Sequence, residues 1–492
     1  SKNVTGRGKF VSKIVWQKIM KLRTLLSLCA GASLSMLTAC ASTHPAQDMS
    51  DYDPIEPVNR IVHGVNGAVD FMILYPAAMW YRDIAPEEVK TAVSSFVRNI
   101  GEPINALNSL FQGEPEQAAA SAQRFIMNST IGFLGFNDVA ADFGIPYHSE
   151  DFGQTLGHYG IGGGPYIVLP LLGPSNLRDS AGIAADYVMN PLTWAGKNSD
   201  TVDNLYLGSL GVTALDARYR ALNQLNELEQ TSIDYYAALR SLYRQQRNAV
   251  IRNGAAPTAP DVEDGRSSSR IMVRSKMKSK FTASALAAAI IGTTGLVAGP
   301  AFAGESPLQA PTSVVEVAAE NNAINVIHTL ASDAIAGLTD ETLSDDIRRQ
   351  NFVALMDRYF AMDVISRFVL GRYWRSISED ELNEFASLLQ EYLALNYASQ
   401  FKSFNGEQFV VGDESQQKKD TFVNSQFVRP DGPPVTIIWR LREFGDKYKI
   451  IDVTVEGLSM GITQRDEFTT VIQQNGGKVA ALTKALHEKT GK

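Results

Sequence analysis

The chain has 492 residues, room for two or more domains, with a net charge of -8 and 45% hydrophobic residues. These are ordinary globular values, and no basic excess points to nucleic acid. Its two cysteines are Cys29 and Cys40, and its six histidines fall in no HxH or HExxH spacing, so neither a structural disulfide nor a metal site is expected.

Residues 1–19 read as upstream sequence ahead of a start at Met20. Met20-Lys21-Leu22-Arg23 opens an export signal with an apolar core from Leu25 to Leu37. Cys29 lies in that core and leaves with it. The segment closes on Leu37-Thr38-Ala39-Cys40, which resembles the bacterial lipoprotein box. The resemblance implies a diacylglycerol-modified Cys40 as mature N-terminus and lipid anchor, and Ala41 after it implies an outer-membrane address. Acyl chains contribute about 0.8 kcal/mol per buried methylene. A plain signal peptide with an unmodified cysteine is the alternative.

Asp53-Pro54-Ile55-Glu56-Pro57 suits a helix entrance, with Asp53 as cap and proline in the first turn. Phe71 to Tyr81 is an apolar, aromatic run broken by Pro76, too short to span a bilayer but long enough to lie in one leaflet. A buried core helix explains it equally well. Val93, Phe96, Ile100, Ile104, Leu107, Leu110 and Phe111 recur at helical spacing and build one apolar face. Strand signals are scarce, so this unit reads as mostly α.

Its most unusual passage is DFGQTLGHYGIGGGPYIVLPLLGPSNLRD, residues 151–179. The glycines fit no GxGxxG frame and no Lys-Ser/Thr follows, which argues against a phosphate loop. A hinge carrying an apolar tongue fits better, because glycine frees the backbone and Pro170 bars a regular helix. Such a tongue must be covered by protein or lipid.

DPIEPVNR, RFIMNSTIGFLGFNDVA and the glycine passage resemble the MlaA/VacJ family of outer-membrane lipoproteins over about residues 53–194. That resemblance implies a mainly α, ring-like, membrane-associated domain in the inner leaflet of the outer membrane. It also implies an amphipathic channel that removes mislocalised phospholipid, and a trimeric porin as partner. On it the hinge would be Gly160, Gly162, Gly163 and Gly164, beside an apolar loop with Pro165, Tyr166, Leu169 and Pro170. One long helix is expected from Leu205 to about Val250, which ends the unit assigned to residues 40–254.

Residues 255–276, rich in Ala, Pro, Asp and Ser, read as a disordered linker. Residues 277–303 then repeat the grammar of an export signal: Met277-Lys278-Ser279-Lys280, an apolar run from Phe281 to Val297, and small residues at the cleavage positions Ala301 and Ala303. The run is short against the roughly 20 apolar residues of a membrane span. Cleavage there would yield two proteins; without it the segment must sit in a membrane.

Residues 304–492 form the second unit. Helices are expected over Val314–Gly337 and Ser344–Tyr359. A capping box at Ser378–Glu381 opens another, with Leu382, Phe385, Leu388, Leu389, Tyr392, Leu393 and Tyr397 on one stripe. From Phe409 the period switches to two, with turns at Gly432-Pro433 and Gly445-Asp446, which predicts an α+β domain of helices on an antiparallel sheet.

RYFAMDVISRFVLGRYW and WRLREFGDKYKIIDVTVEGLSMGITQRDEF resemble the MlaC, or toluene-tolerance, family of periplasmic phospholipid carriers over about residues 314–486. The resemblance implies a curved sheet and helices enclosing a lipid pocket, and delivery to an inner-membrane ABC transporter. Candidate pocket residues are Phe368, Leu370, Trp374, Tyr392, Tyr397, Trp439, Val453, Val455 and Leu458.

The whole chain therefore reads as a phospholipid-transport polypeptide that is not an enzyme. It needs no cofactor, and phospholipid is its cargo. The rivals are an envelope lipid hydrolase, for which no GxSxG elbow is present, and a purely structural lipoprotein. Asp53, Glu56, Asp138 and Asp151 are assigned to caps and surface charges.

Overall fold

The computed structural model describes residues 53–191, 200–252, 322–403, 407–428 and 434–491. Cys40, both export signals with Ala301 and Ala303, the 255–276 linker and the Gly432-Pro433 turn lie outside these residues.

The first domain opens with α1 (Glu56–Val69), which passes through a π turn at Asp70–Leu74 into α2 (Tyr75–Ile84). The widened turn lets Pro76 enter α2 in its first turn, where a missing N–H costs little. Together Glu56–Ile84 is 29 residues long, and by length and composition alone it could cross a membrane; little of it is covered by protein. Asp53 is not the expected cap: α1 starts from Ile55 without a side-chain cap, and Asp53 is 9% exposed.

Then come α3 (Glu87–Gln112), α4 (Pro115–Thr130), the short α5 (Val139–Asp142) and α6 (Phe152–His158). A hairpin of β1 (Tyr166–Leu169) and β2 (Gly173–Asn176) follows, then α7 (Leu177–Met189). The expected single C-terminal helix is two: α8 (Asp200–Thr231) and α9 (Tyr235–Ile251). The break falls at Asp234, whose carboxylate accepts from the Ala237 N–H and caps α9, offering the backbone an alternative to a continuous helix.

The second domain begins with α10 (Ala323–Leu338), α11 (Asp345–Tyr359) and α12 (Met362–Val369). α13 (Glu379–Tyr397) starts from the predicted capping box, with the Ser378 and Glu381 side chains each meeting the other's backbone N–H. A five-stranded antiparallel sheet follows in sequential order: β3 (Gln408–Gln417), β4 (Asp420–Val428), β5 (Val435–Phe444), β6 (Lys447–Val455) and β7 (Leu458–Ser459). α14 (Met460–Gln474) and α15 (Val479–Thr490) close the chain. A mainly helical domain followed by an α+β domain is the expected class.

The α+β domain has two cores. One joins α12, α13, α14 and α15 through Phe368, Leu370, Phe385, Leu389, Phe468 and Leu486. The other sets Ala323, Ile327 and Leu330 of α10 against Val423, Leu441 and Ile450 of the sheet. Burying one such Leu or Phe side chain stabilises by roughly 1.5–3 kcal/mol. The two domains meet where α9 packs on α14.

Candidate functional site

The first domain is organised inside out. The residues of α3 that protein buries are Lys90, Ser95, Asn99, Glu102, Asn105, Asn108, Ser109 and Gln112, one polar face at helical spacing. The predicted apolar stripe is the opposite face: Val93, Phe96, Ile100, Ile104 and Leu107 are half-buried, and Leu110 and Phe111 are exposed. α4 does the same, burying Ser121, Arg124 and Asn128 while Ile126 is 61% exposed. Phe71, Trp80, Ile131, Phe133, Leu134 and Phe143 are also exposed. Water does not leave this much apolar surface uncovered on a monomer.

Buried polar groups must find partners, and these do. Arg124 Nε donates to Glu102 Oε1 at 2.6 Å, and its Nη2 donates to both Asp138 oxygens at 2.8 Å. Asn105 accepts from the Glu150 N–H, and Gln112 donates to the Glu150 carboxyl at 2.7 Å. Asn108 donates to Asp186 at 2.9 Å. Arg247 of α9 closes the column on Asp151 and Asp179. Burial pushes Glu102, Glu150 and Asp186 up, against the pull of these donors. Asp138 and Asp151 cap α5 and α6 as expected, but they also serve this interior.

The glycine passage ends in the β hairpin rather than a loose tongue. Gly160 and Gly164 take left-handed φ values of +80° and +69°, which turn the chain into β1; Gly162 and Gly163 do not. Pro165 leads in, the Tyr166 and Val168 side chains are buried, and Leu169 is half-buried. Pro170, Leu171 and Leu172 form an exposed apolar tip. β1 has β2 on one side only. Along its other edge two α1 asparagines seven residues apart substitute for a strand. Asn59 donates to Tyr166 O at 3.0 Å and accepts from Val168 N–H at 2.9 Å. Asn66 donates to Leu169 O at 2.9 Å and accepts from Leu171 N–H at 2.8 Å. Sequence reasoning missed these two residues. Their signal was the two-turn spacing on a helix that is otherwise largely exposed.

Asp53 is the hub beside this clamp. It accepts from Asn59 at 2.8 Å, from Arg240 at 3.2 Å and from the Tyr236 hydroxyl. Across the seam with the second domain, Arg240 also donates to Thr470 at 2.9 Å and Arg244 pairs with Asp466. Gln245 donates to Thr463 at 2.9 Å and accepts from Ser459 N–H at 2.8 Å. Glu467 accepts from the Asp234 N–H at 2.8 Å and from the Ile233 N–H, so an α14 carboxyl caps a helix of the other domain. Burial pushes the Glu467 carboxyl up to about 8.

The nine candidate pocket residues divide. Trp439 pairs with Val453 and Val455 with Leu458, which puts these four on one sheet face; Val423, opposite Trp439 on β4, shares it. All four are half-buried, and Trp439 Nε1 donates to Ser425 at 2.8 Å. Phe368, Leu370 and Tyr392 lie in the helical core, with Trp374 packed on its margin. The Tyr392 hydroxyl donates to Thr231 O across the seam. Tyr397 is half-buried, and burial pushes its hydroxyl up to about 12 with Glu227 and Glu467 adding to the shift.

Residues 51–250 match a family model described as MlaA lipoprotein, and residues 328–488 one described as MlaC protein. An uncharacterised Rickettsia felis protein is 37% identical over 202 residues, 41% of this chain and 78% of the relative. The intermembrane phospholipid transport system lipoprotein MlaA of Escherichia coli is 33% identical over 257 residues, 50% of this chain and 97% of the relative. Among solved structures, a phospholipid-binding protein from Ralstonia solanacearum in complex with a phospholipid is 21% identical. It covers 35% of this chain and 97% of its own, with a TM-score of 0.31.

Proposed function

Because the chain belongs to the MlaA lipoprotein family and joins to that domain an MlaC domain, we propose that it unites a membrane-seated lipid channel with its soluble carrier. Its function is phospholipid transport. The first domain sits in the inner leaflet of the outer membrane, anchored through Cys40, and takes up mislocalised phospholipid. The second works in the periplasm and passes the lipid toward an inner-membrane ABC transporter. A trimeric porin holds the first domain in place.

The inverted face of α3 carries this reading. Exposed Leu110 and Phe111 suit acyl chains, while the buried Glu102–Gln112 face is taken up by the domain's own polar interior. A domain with polar groups inside and apolar groups outside suits a lipid surface better than water. In the carrier, the half-buried Trp439, Val453, Val455 and Leu458 face offers apolar surface for acyl tails, since pockets for small ligands are mostly apolar. No bond is made or broken. Transfer is driven by differential burial of methylenes, each worth about 0.8 kcal/mol when kept from water.

The test is mass spectrometry of lipids extracted from the purified protein. Intact phospholipid at near-stoichiometric level is expected. Lysophospholipid would identify a hydrolase instead, and the absence of lipid would leave only a structural tether.

A further inference from the structure

The seam between the domains and the β1–β2 hairpin are joined by one chain of hydrogen bonds. On the carrier side Thr470 Oγ1 accepts from Arg240 at 2.9 Å. The same guanidinium donates to Asp53 Oδ2 at 3.2 Å, and Asp53 Oδ1 accepts from Asn59 at 2.8 Å. Asn59 in turn grips Tyr166 O and Val168 N–H of β1. Every side chain in the series is buried, with Thr470 at 2%, Arg240 at 6%, Asp53 at 9% and Asn59 at 1% exposure.

Burial makes the series responsive at both ends. A buried charge that loses one acceptor is costly to leave in place, so it moves or recruits water. When the carrier lifts away, Arg240 loses Thr470 and gains solvent. Its hold on Asp53 weakens as the dielectric rises. Asp53 sets the orientation of the Asn59 carboxamide, and that carboxamide is the only strand-like neighbour of β1 at Tyr166 and Val168 among the described residues. The second clamp, the Asn66 carboxamide, hydrogen-bonds Leu169 and Leu171 rather than Asp53.

We propose that Arg240 and Asp53 are positioning residues that transmit the seating of the carrier domain to the β1–β2 hairpin. The hairpin is held while the carrier is docked on α9 and loosens at its Tyr166–Val168 end when the carrier leaves. The channel is thereby steadied when an acceptor is present. Only the pairing of channel with carrier is taken from the preceding reading; the test below reads hairpin protection and stands apart from any lipid.

Hydrogen–deuterium exchange on the full chain in detergent micelles tests this, since local opening is read amide by amide. Arg244→Glu breaks the pair with Asp466 without touching the hairpin series. It should speed exchange of the Ile233 and Asp234 amides, which donate to Glu467 across the seam, and speed exchange at Val168 at least five-fold, with a smaller change at Leu171. The swap Arg244→Glu with Asp466→Arg should restore both. Asp53→Asn should speed Val168 exchange while the Ile233 and Asp234 amides stay protected. The proposal is overturned if Arg244→Glu exposes the Ile233 and Asp234 amides and leaves Val168 unchanged, or if Asp53→Asn leaves Val168 protected.

Discussion

Arg124 and Glu102 form an ion pair at 2.6 Å with side-chain exposures of 1% and 0%. The pair sits where a water-soluble helix would place Leu or Val, and Asp138 completes it through Nη2 of the same guanidinium. Its two carboxylates share one cation, so truncating the arginine strands both. Removing one partner of a buried pair typically costs 3–5 kcal/mol. Arg124→Met should therefore lower the unfolding free energy by about that amount, measured by chemical denaturation in detergent. A loss below about 1 kcal/mol would mean that water already reaches the pair.

The glycines of the run from Gly160 to Gly164 are not equivalent. Gly164 has φ +69°, and an added Cβ would lie 3.2 Å from Leu177. Gly162 has an ordinary φ and nothing within 4 Å. A left-handed residue with a side chain costs roughly 1–2 kcal/mol. Gly164→Ala should lose about that much stability and slow lipid transfer. Gly162→Ala should match the native protein in both, within about 0.5 kcal/mol. If chain flexibility as such were what the run provides, the two variants would impair transfer equally.

The split among the pocket candidates gives opposed phenotypes. Trp439 is half-buried on the sheet face, whereas Leu370 is fully buried among helices. Trp439→Ala, which also removes packing on the Val423 core and the bond to Ser425, should reduce co-purified phospholipid several-fold per folded molecule. Leu370→Ala opens a packed core and should cost about 2–5 kcal/mol, with the remaining folded protein still carrying lipid. The assignment fails if both variants lose stability and neither loses lipid.

What could be read from the sequence was whatever local chemistry decides. Ser378 and Glu381 announced a capping box three residues apart, and the structure forms it. The stripe Leu382, Phe385, Leu388, Leu389 and Tyr392 is buried as spaced. Periodicity also found the apolar face of α3, but a period is the same whether that face meets a core or a bilayer, so the inversion stayed hidden. Asp53 resembled a cap because Pro54 follows it. Besides Asn59 six residues on, its partners are Tyr236 and Arg240, more than 180 residues away and beyond any local signal. The hairpin was missed for a related reason. β1 is half completed by asparagine side chains, which leave no alternating pattern. Tyr392 falls on the apolar stripe by its spacing, and only the seam shows that its hydroxyl reaches Thr231.

Glu467 gives the seam a pH dependence of defined sign. Burial pushes its carboxyl up to about 8 from an ordinary 4.5, the Asp234 carboxylate adding to the rise while the Ile233 and Asp234 N–H groups and Lys489 oppose it. A carboxyl whose pKa is higher in the docked state binds more protons there than in the open state. Its contribution is therefore full below about 4.5 and is lost progressively as pH rises to about 8, flat beyond that. The docked protein should show a lower thermal midpoint at pH 8.5 than at pH 5.5. Asp466 and Asp452, also pushed up by burial, slope in the same direction and remain in any Glu467 variant. The informative quantity is thus the difference between native protein and Glu467→Gln, whose amide oxygen can still accept from both N–H groups. That variant should match the native protein near pH 5 and exceed it at pH 8.5. Parallel pH profiles for the two would mean that Glu467 is ionised at the seam across the whole range.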